Sequence, residues 1–159
     1  MESFFIWLEE LRLSSSIAES STLYGFALVL VLHTIGIALT AGPAAVMSLR
    51  LLGVGRPLPL SSLRTLFTFF WIGFIGNAIT GSLLFMMAAS RTGYKPMYYA
   101  KLLFLALALV TLRPVRRAIE ADHNGEDIAV APRVKTIAIL SLLLWIGVIT
   151  SGRLIAYTK

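Results

Sequence analysis

Four long apolar blocks, separated by short polar gaps, dominate the pattern of hydrophobic and polar positions. They cover about residues 23–52, 63–89, 96–113 and 136–157. A helix rises about 1.5 Å per residue, so each block is long enough to cross a hydrocarbon layer of about 30 Å. The pattern predicts an all-α fold: an integral membrane four-helix bundle that forms one domain over residues 1–159.

A shorter amphipathic stretch over about residues 2–18 precedes the first block. Its apolar side chains cluster on one side of a helix, and Glu9 and Glu10 lie elsewhere. The stretch is acidic where a signal peptide is basic, so we do not interpret it as one. It predicts an N-terminal interfacial helix with Trp7 at headgroup level, or a lid that packs on the bundle.

Composition supports the membrane interpretation. The chain is 57% hydrophobic and 14% charged, with a mean hydropathy of +0.82, whereas soluble domains are about 45–50% apolar and about 25% charged. The net charge of +6 does not indicate a nucleic-acid partner, because the basic residues fall in the gaps between blocks, where lipid headgroups lie. The absence of cysteine excludes disulfides, thiolate zinc sites, iron–sulfur clusters and covalent c-type haem.

Lys and Arg are distributed unevenly between the two sides of the predicted bundle. Eight of the 14 lie in the first and third loops, which favours a cytoplasmic location for those loops and places both termini in the periplasm. Small residues also line parts of the blocks. Gly36 and Thr40 share a face of the first block, and Gly73, Asn77 and Gly81 share one of the second. Such faces predict close helix packing and self-association into a homo-oligomer.

The strongest candidate for a functional residue is His33, an ionisable group well inside the first block. Asn77 lies at a similar depth in the second block, about 15 Å below the outer face. Other polar side chains lie nearer the outer mouth: Tyr98, Tyr99, Lys101 and Arg153. This layout predicts a buried imidazole beneath cations and phenols.

Haem b is one cofactor that such a layout suits. His33 would be the axial metal ligand, and Lys101 and Arg153 would pair with the propionates. His123 lies in a polar loop on the opposite side. The second ligand would therefore be Met86 or Met87, a residue of a second copy, or none. Trp145, in the middle of the fourth block, is a candidate wall of the site or a packing residue.

Three other interpretations of His33 stay open. A quinone could hydrogen-bond to His33 and to the Asn77 amide. His33 could instead bond to Asn77 or Thr80 across two helices and only fix their register. It could also belong to a proton or ion path. His123 with its acidic neighbours could bind a divalent metal weakly, although a solvated loop explains these residues as well.

Motifs of several enzyme classes are absent, among them the phosphate loop, the dinucleotide fingerprint, HExxH and GxSxG. The four blocks contain no buried carboxylate, which argues against most proton-coupled transporters. Whether the protein is an enzyme stays undecided at this level.

The pieces HTIGIALTAG, SLRLLG, Lys101 and WIGVITSGRLIAY together resemble an uncharacterised bacterial family of small four-span inner-membrane proteins. The resemblance implies a multi-pass protein of the bacterial cytoplasmic membrane and no established activity. Ser48 occupies a position that is typically acidic in that family. More distantly, His33 and its small neighbours are similar to CopD-type copper-resistance domains and HemJ-type protoporphyrinogen oxidases, which implies copper handling or haem b respectively.

Three function classes follow. The first is a small redox-type membrane module that binds haem b or quinone near His33, with Asn77 orienting the imidazole and with Lys101 and Arg153 as anion partners. The second is a non-catalytic membrane scaffold or anchor subunit for a periplasmic partner. The third is a copper or small-solute permease.

Overall fold

The computed structural model describes residues 2–10, 25–55, 60–121 and 131–157, and every regular element in these ranges is helical. The elements, in chain order, are α1 (Glu2–Glu10), α2 (Phe26–Leu51), a 3-10 turn (Leu60–Leu63), α3 (Arg64–Met86), α4 (Ala89–Thr92), α5 (Pro96–Glu120) and α6 (Pro132–Leu154). The all-α prediction is confirmed for the described residues. The predicted helical residues 11–18 and the loop with His123 lie outside them.

Three of the long helices are suited to crossing a membrane. α2, α3 and α6 have 26, 23 and 23 residues and are apolar along most of their length. Large aliphatic side chains such as Val31, Ile75 and Leu143 are exposed on their outer faces. A water-soluble protein rarely exposes apolar surface of this extent, so the structure is that of an all-α membrane protein.

α5 differs from these three helices and from the predicted third block. The block is expected to end near Arg113, yet α5 continues through Pro114 to Glu120. Proline removes one intrahelical hydrogen bond, but Val115 and Ile119 beyond it are buried in the core, and their burial holds the last turns in place. Charged residues near both ends of α5 shorten its uninterrupted apolar stretch, and α5 is not among the three membrane-suited helices.

α2 and α3 form an antiparallel pair whose contact is lined by small residues, as their spacing predicts. A Cβ atom added to Gly73 would lie 2.6 Å from Leu39 Cβ, and one added to Gly36 would lie 3.1 Å from Asn77 Cβ. The two backbones therefore approach too closely for any larger side chain at Gly73. This close approach brings the start of α2 beside the end of α3.

α5 and α6 form a second antiparallel pair. The ring of Phe104 covers Gly147, and the Lys95 ammonium donates a 2.8 Å hydrogen bond to the carbonyl of Ile155, just past the end of α6. A cation suits this position, because a helix ends with unpaired carbonyls and partial negative charge. α2 also packs on α6, whereas α3 and α5 make few direct contacts with each other.

The densest packing lies at the end of the molecule where α2 ends and α3 begins. Met47, Phe70 and Ile119 are fully buried there, together with Leu51 and Val115. We call the opposite end, where α2 and α5 begin and α3 and α6 end, the His33 end. α1 covers this end, and the cavity described below lies beneath it.

Candidate functional site: the His33 cavity

A cavity of about 330 Å³ lies at the His33 end. Four helices form its wall: α3 and α5 contribute most of it, α2 contributes His33, and α1 contributes Leu8. Apolar atoms make up most of the lining, with polar groups at His33, Asn77, Ser82, Tyr98 and Lys101. A mostly apolar cavity with a few convergent polar groups is the usual form of a small-molecule site.

His33 is held by a hydrogen bond across the α2–α3 contact. Its side chain is 9% exposed, and Nδ1 lies 3.0 Å from Thr80 Oγ1. The Thr80 hydroxyl has one proton, which it donates to the carbonyl of Gly76 at 2.8 Å. We assign the ring proton to Nδ1, which then donates to Thr80, because this tautomer lets the Thr80 hydroxyl keep its bond to Gly76. Nε2 is left with a free lone pair that can accept a hydrogen bond or ligate a metal.

Gly81 makes room for the imidazole. A Cβ atom at this position would lie 3.1 Å from His33 Cε1 and 3.6 Å from Nδ1. Thr80 and Gly81 are adjacent on α3, so one helix turn supplies both the hydrogen-bond partner and the space. Of the two cross-helix partners that the sequence offers for His33, Asn77 and Thr80, the side chain of Thr80 is the one that bonds to the imidazole.

Asn77 instead presents a polar group without a partner. Its Oδ1 atom is buried, and no described residue hydrogen-bonds to it. Asn77 also lines the cavity, one turn of α3 before Gly81. A buried amide oxygen without a partner costs free energy of about 1–3 kcal/mol, so a ligand that bonds to it gains that interaction.

Lys101 brings a positive charge to the same cavity. Its side chain is half-buried and passes over Gly152 of α6. A Cβ atom added to Gly152 would lie 3.7 Å from the Lys101 Nζ. No carboxylate pairs with Lys101 among residues 2–10, 25–55, 60–121 and 131–157. A half-buried ammonium without a counterion favours a ligand that supplies acceptor oxygens or negative charge.

α1 and an aromatic pair form the outer cover of the cavity. Tyr98 stacks on Phe85 with ring centroids 4.7 Å apart, and Phe5 of α1 contacts Phe85 edge to face at 6.2 Å. Glu9 fixes α1 to α4, because its Oε1 accepts hydrogen bonds from the Ser90 hydroxyl at 2.7 Å and the Ser90 amide at 2.9 Å. These bonds to the charged form lower the pKa of Glu9 from its ordinary value.

Two residues suggested by the sequence do not line the cavity. Arg153 is exposed and follows Gly152, so it lies on a different face of α6 from the residue that contacts Lys101. Trp145 is buried two turns earlier and packs edge to face on Phe70 at 5.7 Å. Its Nε1 has no hydrogen-bond partner among the described residues. The structure thus brings together His33, Asn77 and Lys101 and leaves Arg153 and Trp145 apart.

Metal ligation would have to rely on few groups. The part of the chain that the structure describes contains no group of three His, Cys, Asp or Glu residues that could hold a metal ion. Of the two methionines considered as second haem ligands, Met86 lines the cavity and Met87 does not. His123 and its acidic neighbours lie outside the described residues.

Among the residues that the sequence did not assign to the site are Leu8, which lines the cavity, and Gly152, which contacts the Lys101 stem. Leu8 follows Trp7 on α1. The periodicity of α1 does not tell which part of the bundle such an interfacial helix covers. Gly152 appears in the sequence only as part of a small face of the fourth block. Thr80 was one of the two partners that the sequence suggested for His33, and its neighbour Gly81 is the small residue that makes room for the ring.

Comparison with known families agrees with the sequence pattern. The model of a family of unknown function (DUF6644) matches residues 4–158, nearly the whole chain. The protein belongs to this family. A search of curated proteins gave no match, and a search of solved structures gave none either. Membership of DUF6644 fits the predicted uncharacterised family and brings no activity with it, so the function of this DUF6644 protein has to be argued from its cavity.

Proposed function

We propose that this protein is a small integral membrane module that binds the headgroup of a quinone or quinol in the His33 cavity. The observation that carries the proposal is the grouping around one mostly apolar cavity of the His33 Nε2 lone pair with an Asn77 amide oxygen and a Lys101 ammonium that no described residue pairs with. These groups match a ring that carries oxygen atoms on opposite sides.

The hydrogen-bonding groups of the site suit the quinol form best, and Lys101 can also donate to the quinone form. His33 Nε2 accepts a hydrogen bond from a quinol hydroxyl, and Lys101 donates to an oxygen of either form. The buried end of the Asn77 amide can donate or accept, depending on which way the amide is turned. Thr80 holds the imidazole in the tautomer that keeps Nε2 free. The protein groups alone thus bind and orient the ring.

Cavity size also favours a single ring. Small-molecule sites usually enclose about 300–1,000 Å³, and the cavity volume of about 330 Å³ lies at the lower end of that range. This space suits one substituted six-membered ring. A porphyrin would require α3 and α5 to move apart.

Haem b is the second candidate, and the position of Met86 favours it. Met86 and His33 both line the cavity, and a His/Met pair is an established axial ligand set for haem iron. In this arrangement Lys101 would pair with a propionate. Bound haem would supply one-electron redox chemistry.

We propose that the protein crosses the membrane four times, and that α5 is a span in addition to α2, α3 and α6. Its exposed Leu103, Leu107 and Val110 suit lipid contact, and the last turns with Arg116 and Arg117 project into the headgroup region. The charge distribution supports a periplasmic location for the His33 end and both termini in a bacterial cytoplasmic membrane. We further propose that the protein forms a homo-oligomer or joins a membrane complex.

The decisive experiment examines the protein purified in mild detergent with its native lipids. Lipid extraction and chromatography would detect a co-purifying quinone, and a reduced-minus-oxidised absorption spectrum would detect haem b. We expect quinone in the wild type and its loss in His33→Ala. The lipid-facing variant Ile139→Ala serves as the matched control. A Soret band that disappears in His33→Ala would favour haem b instead, and full retention of either cofactor by His33→Ala would contradict the role of His33.

The scaffold class rests on a different observation. Phe4, Ile6 and Trp7 of α1 are exposed, and Trp7 is 55% exposed. This face can enter the interface of the bilayer or hold a periplasmic partner. A stoichiometric co-purifying protein without quinone or haem would favour this class. Copper transport into liposomes that is lost in His33→Ala would favour the permease.

A further inference from the structure

The His33 cavity has an open side, and the exposure of its lining residues locates it. Ala78 and Ser82 of α3 and Leu102 of α5 belong to the cavity lining and are also exposed on the outer surface. Ala78 and Ser82 are one helical turn apart, so they form a continuous edge of α3. We call the opening between these three residues the α3–α5 gap.

Packing of the helices explains why this gap exists. α3 packs along α2, and α5 packs along α6, so that α3 and α5 make few direct contacts. The cavity is the space left between them at the His33 end. Ala78 lies eight residues before the end of α3, about 12 Å along the helix axis. This distance places the gap at the depth of the hydrocarbon layer.

The route from the aqueous side is covered. Leu8 of α1 lines the outer part of the cavity, and Phe5 anchors α1 against Phe85 and Tyr94 at 6.2 and 5.4 Å. The bonds between Glu9 and Ser90 hold the same helix in place. A water-borne ligand would have to displace α1, whereas a ligand dissolved in the bilayer meets the α3–α5 gap directly.

We propose that the ligand enters the His33 cavity laterally from the bilayer, through the α3–α5 gap. Its apolar tail then remains in that gap while the headgroup lies beside His33. The ligand class is therefore an amphiphile with an oxygen-bearing ring at one end and a long hydrocarbon chain at the other. This inference rests on the proposed function, because it assumes that the headgroup binds in the His33 cavity. It adds the entry route and the requirement for a tail.

A photo-crosslinking experiment tests the position of the tail. The probe is a 1,4-benzoquinone with a decyl tail that carries a diazirine at its middle, added to the protein in liposomes. Crosslinked peptides are mapped by mass spectrometry, with competition by unlabelled decylubiquinone. We expect competed labelling on the flanks of α3 and α5 near Ala78 and Leu102. Competed labelling that falls on α1 around Phe5 and Leu8 would overturn the lateral route and leave headgroup binding intact.

Two tryptophan variants of α3 give a second readout. Ala78→Trp narrows the gap, and Ile79→Trp is its matched control, since Ile79 is exposed on the same helix and does not line the cavity. We compare the affinities for decylubiquinone and for the tail-less 2,3-dimethoxy-5-methyl-1,4-benzoquinone. Ala78→Trp should weaken the affinity for decylubiquinone about tenfold relative to the affinity for the tail-less quinone. Ile79→Trp should leave this ratio of affinities unchanged. An unchanged ratio in Ala78→Trp would overturn the proposal that the tail lies in the α3–α5 gap. Wild-type protein that binds neither quinone would overturn the proposed function itself.

Discussion

His33 and Thr80 face each other across the α2–α3 contact, with Nδ1 3.0 Å from Oγ1. Thr80 already donates its proton to the carbonyl of Gly76 at 2.8 Å. We assign the pair the proton arrangement that keeps both bonds, in which Nδ1 donates to Thr80 and Nε2 keeps its lone pair. This single bond links the register of two membrane helices to the chemistry that the cavity can offer.

Replacing Thr80 tests this arrangement. Thr80→Val keeps the shape and removes the acceptor of the Nδ1 proton, so we expect a loss of stability of about 1–3 kcal/mol and mixed His33 tautomers. Thr80→Ser retains the hydroxyl and should behave as the wild type. Thermal unfolding in detergent gives the stability. Nitrogen-15 NMR gives the tautomer, since the chain has only two histidines. A wild-type spectrum with the proton on Nε2 would contradict the assignment.

The space beside the imidazole is tested at Gly81. A Cβ atom there would lie 3.1 Å from His33 Cε1, so Gly81→Ala should shift the ring and weaken quinone binding about tenfold. Gly76→Ala is the matched control, because a Cβ atom at Gly76 meets nothing within 4 Å. Equal quinone affinities of the two variants, measured by equilibrium titration, would show that the ring position does not control binding.

Replacing Lys101 should weaken quinone binding without lowering the stability of the protein. Lys101→Met removes a half-buried ammonium that no described carboxylate pairs with, so the thermal midpoint should stay equal or rise. Quinone affinity should fall about tenfold or more, because a hydrogen bond to a charged donor contributes about 1.5–3 kcal/mol. Lys101→Arg should retain part of the affinity, and the exposed Lys135→Met should change neither property. A fall in thermal midpoint and in affinity together would instead indicate a structural role.

The contact between α1 and α4 should depend on pH. Hydrogen bonds from Ser90 lower the pKa of Glu9 below its ordinary value of 4.5. The ionised carboxylate therefore stabilises docking fully above pH 4.5, and this contribution is lost as the pH falls through the lowered pKa. Trp7 fluorescence, in a background where Trp71 and Trp145 are replaced by Phe, would report the release of α1. Glu9→Gln should abolish the transition and Glu10→Gln should retain it, whereas a transition that survives in Glu9→Gln would assign it to another group.

The α2–α3 contact should tolerate no side chain at Gly73. A Cβ atom there would lie 2.6 Å from Leu39 Cβ and 2.7 Å from the Leu39 carbonyl carbon. The backbone atom cannot move aside alone, so Gly73→Ala should destabilise the protein by about 1–3 kcal/mol. Gly42→Ala, where nothing lies within 4 Å, is the control within α2. Thermal midpoints that are equal in the two variants would contradict the close approach.

The sequence by itself determined the helical membrane architecture and marked His33 as the candidate functional residue. Apolar blocks of sufficient length can satisfy their backbone hydrogen bonds in lipid only as helices or closed barrels, and periodic small residues mark where helices touch. These local rules also placed Asn77 near the depth of His33 and Lys101 nearer the outer mouth. They did not predict that α5 would continue past Pro114, because that depends on the burial of Val115 and Ile119 against other helices.

Only the tertiary structure decided which groups share the cavity. Rotation of each helix about its axis places Thr80 against the imidazole and Lys101 across Gly152, and the same rotation leaves Arg153 and Trp145 away from the cavity. Residues one position apart differ by about 100° around a helix, so a similar depth does not imply a shared site. The pairing of α3 with α2 and of α5 with α6 likewise creates the α3–α5 gap, because that opening depends on which helices do not touch.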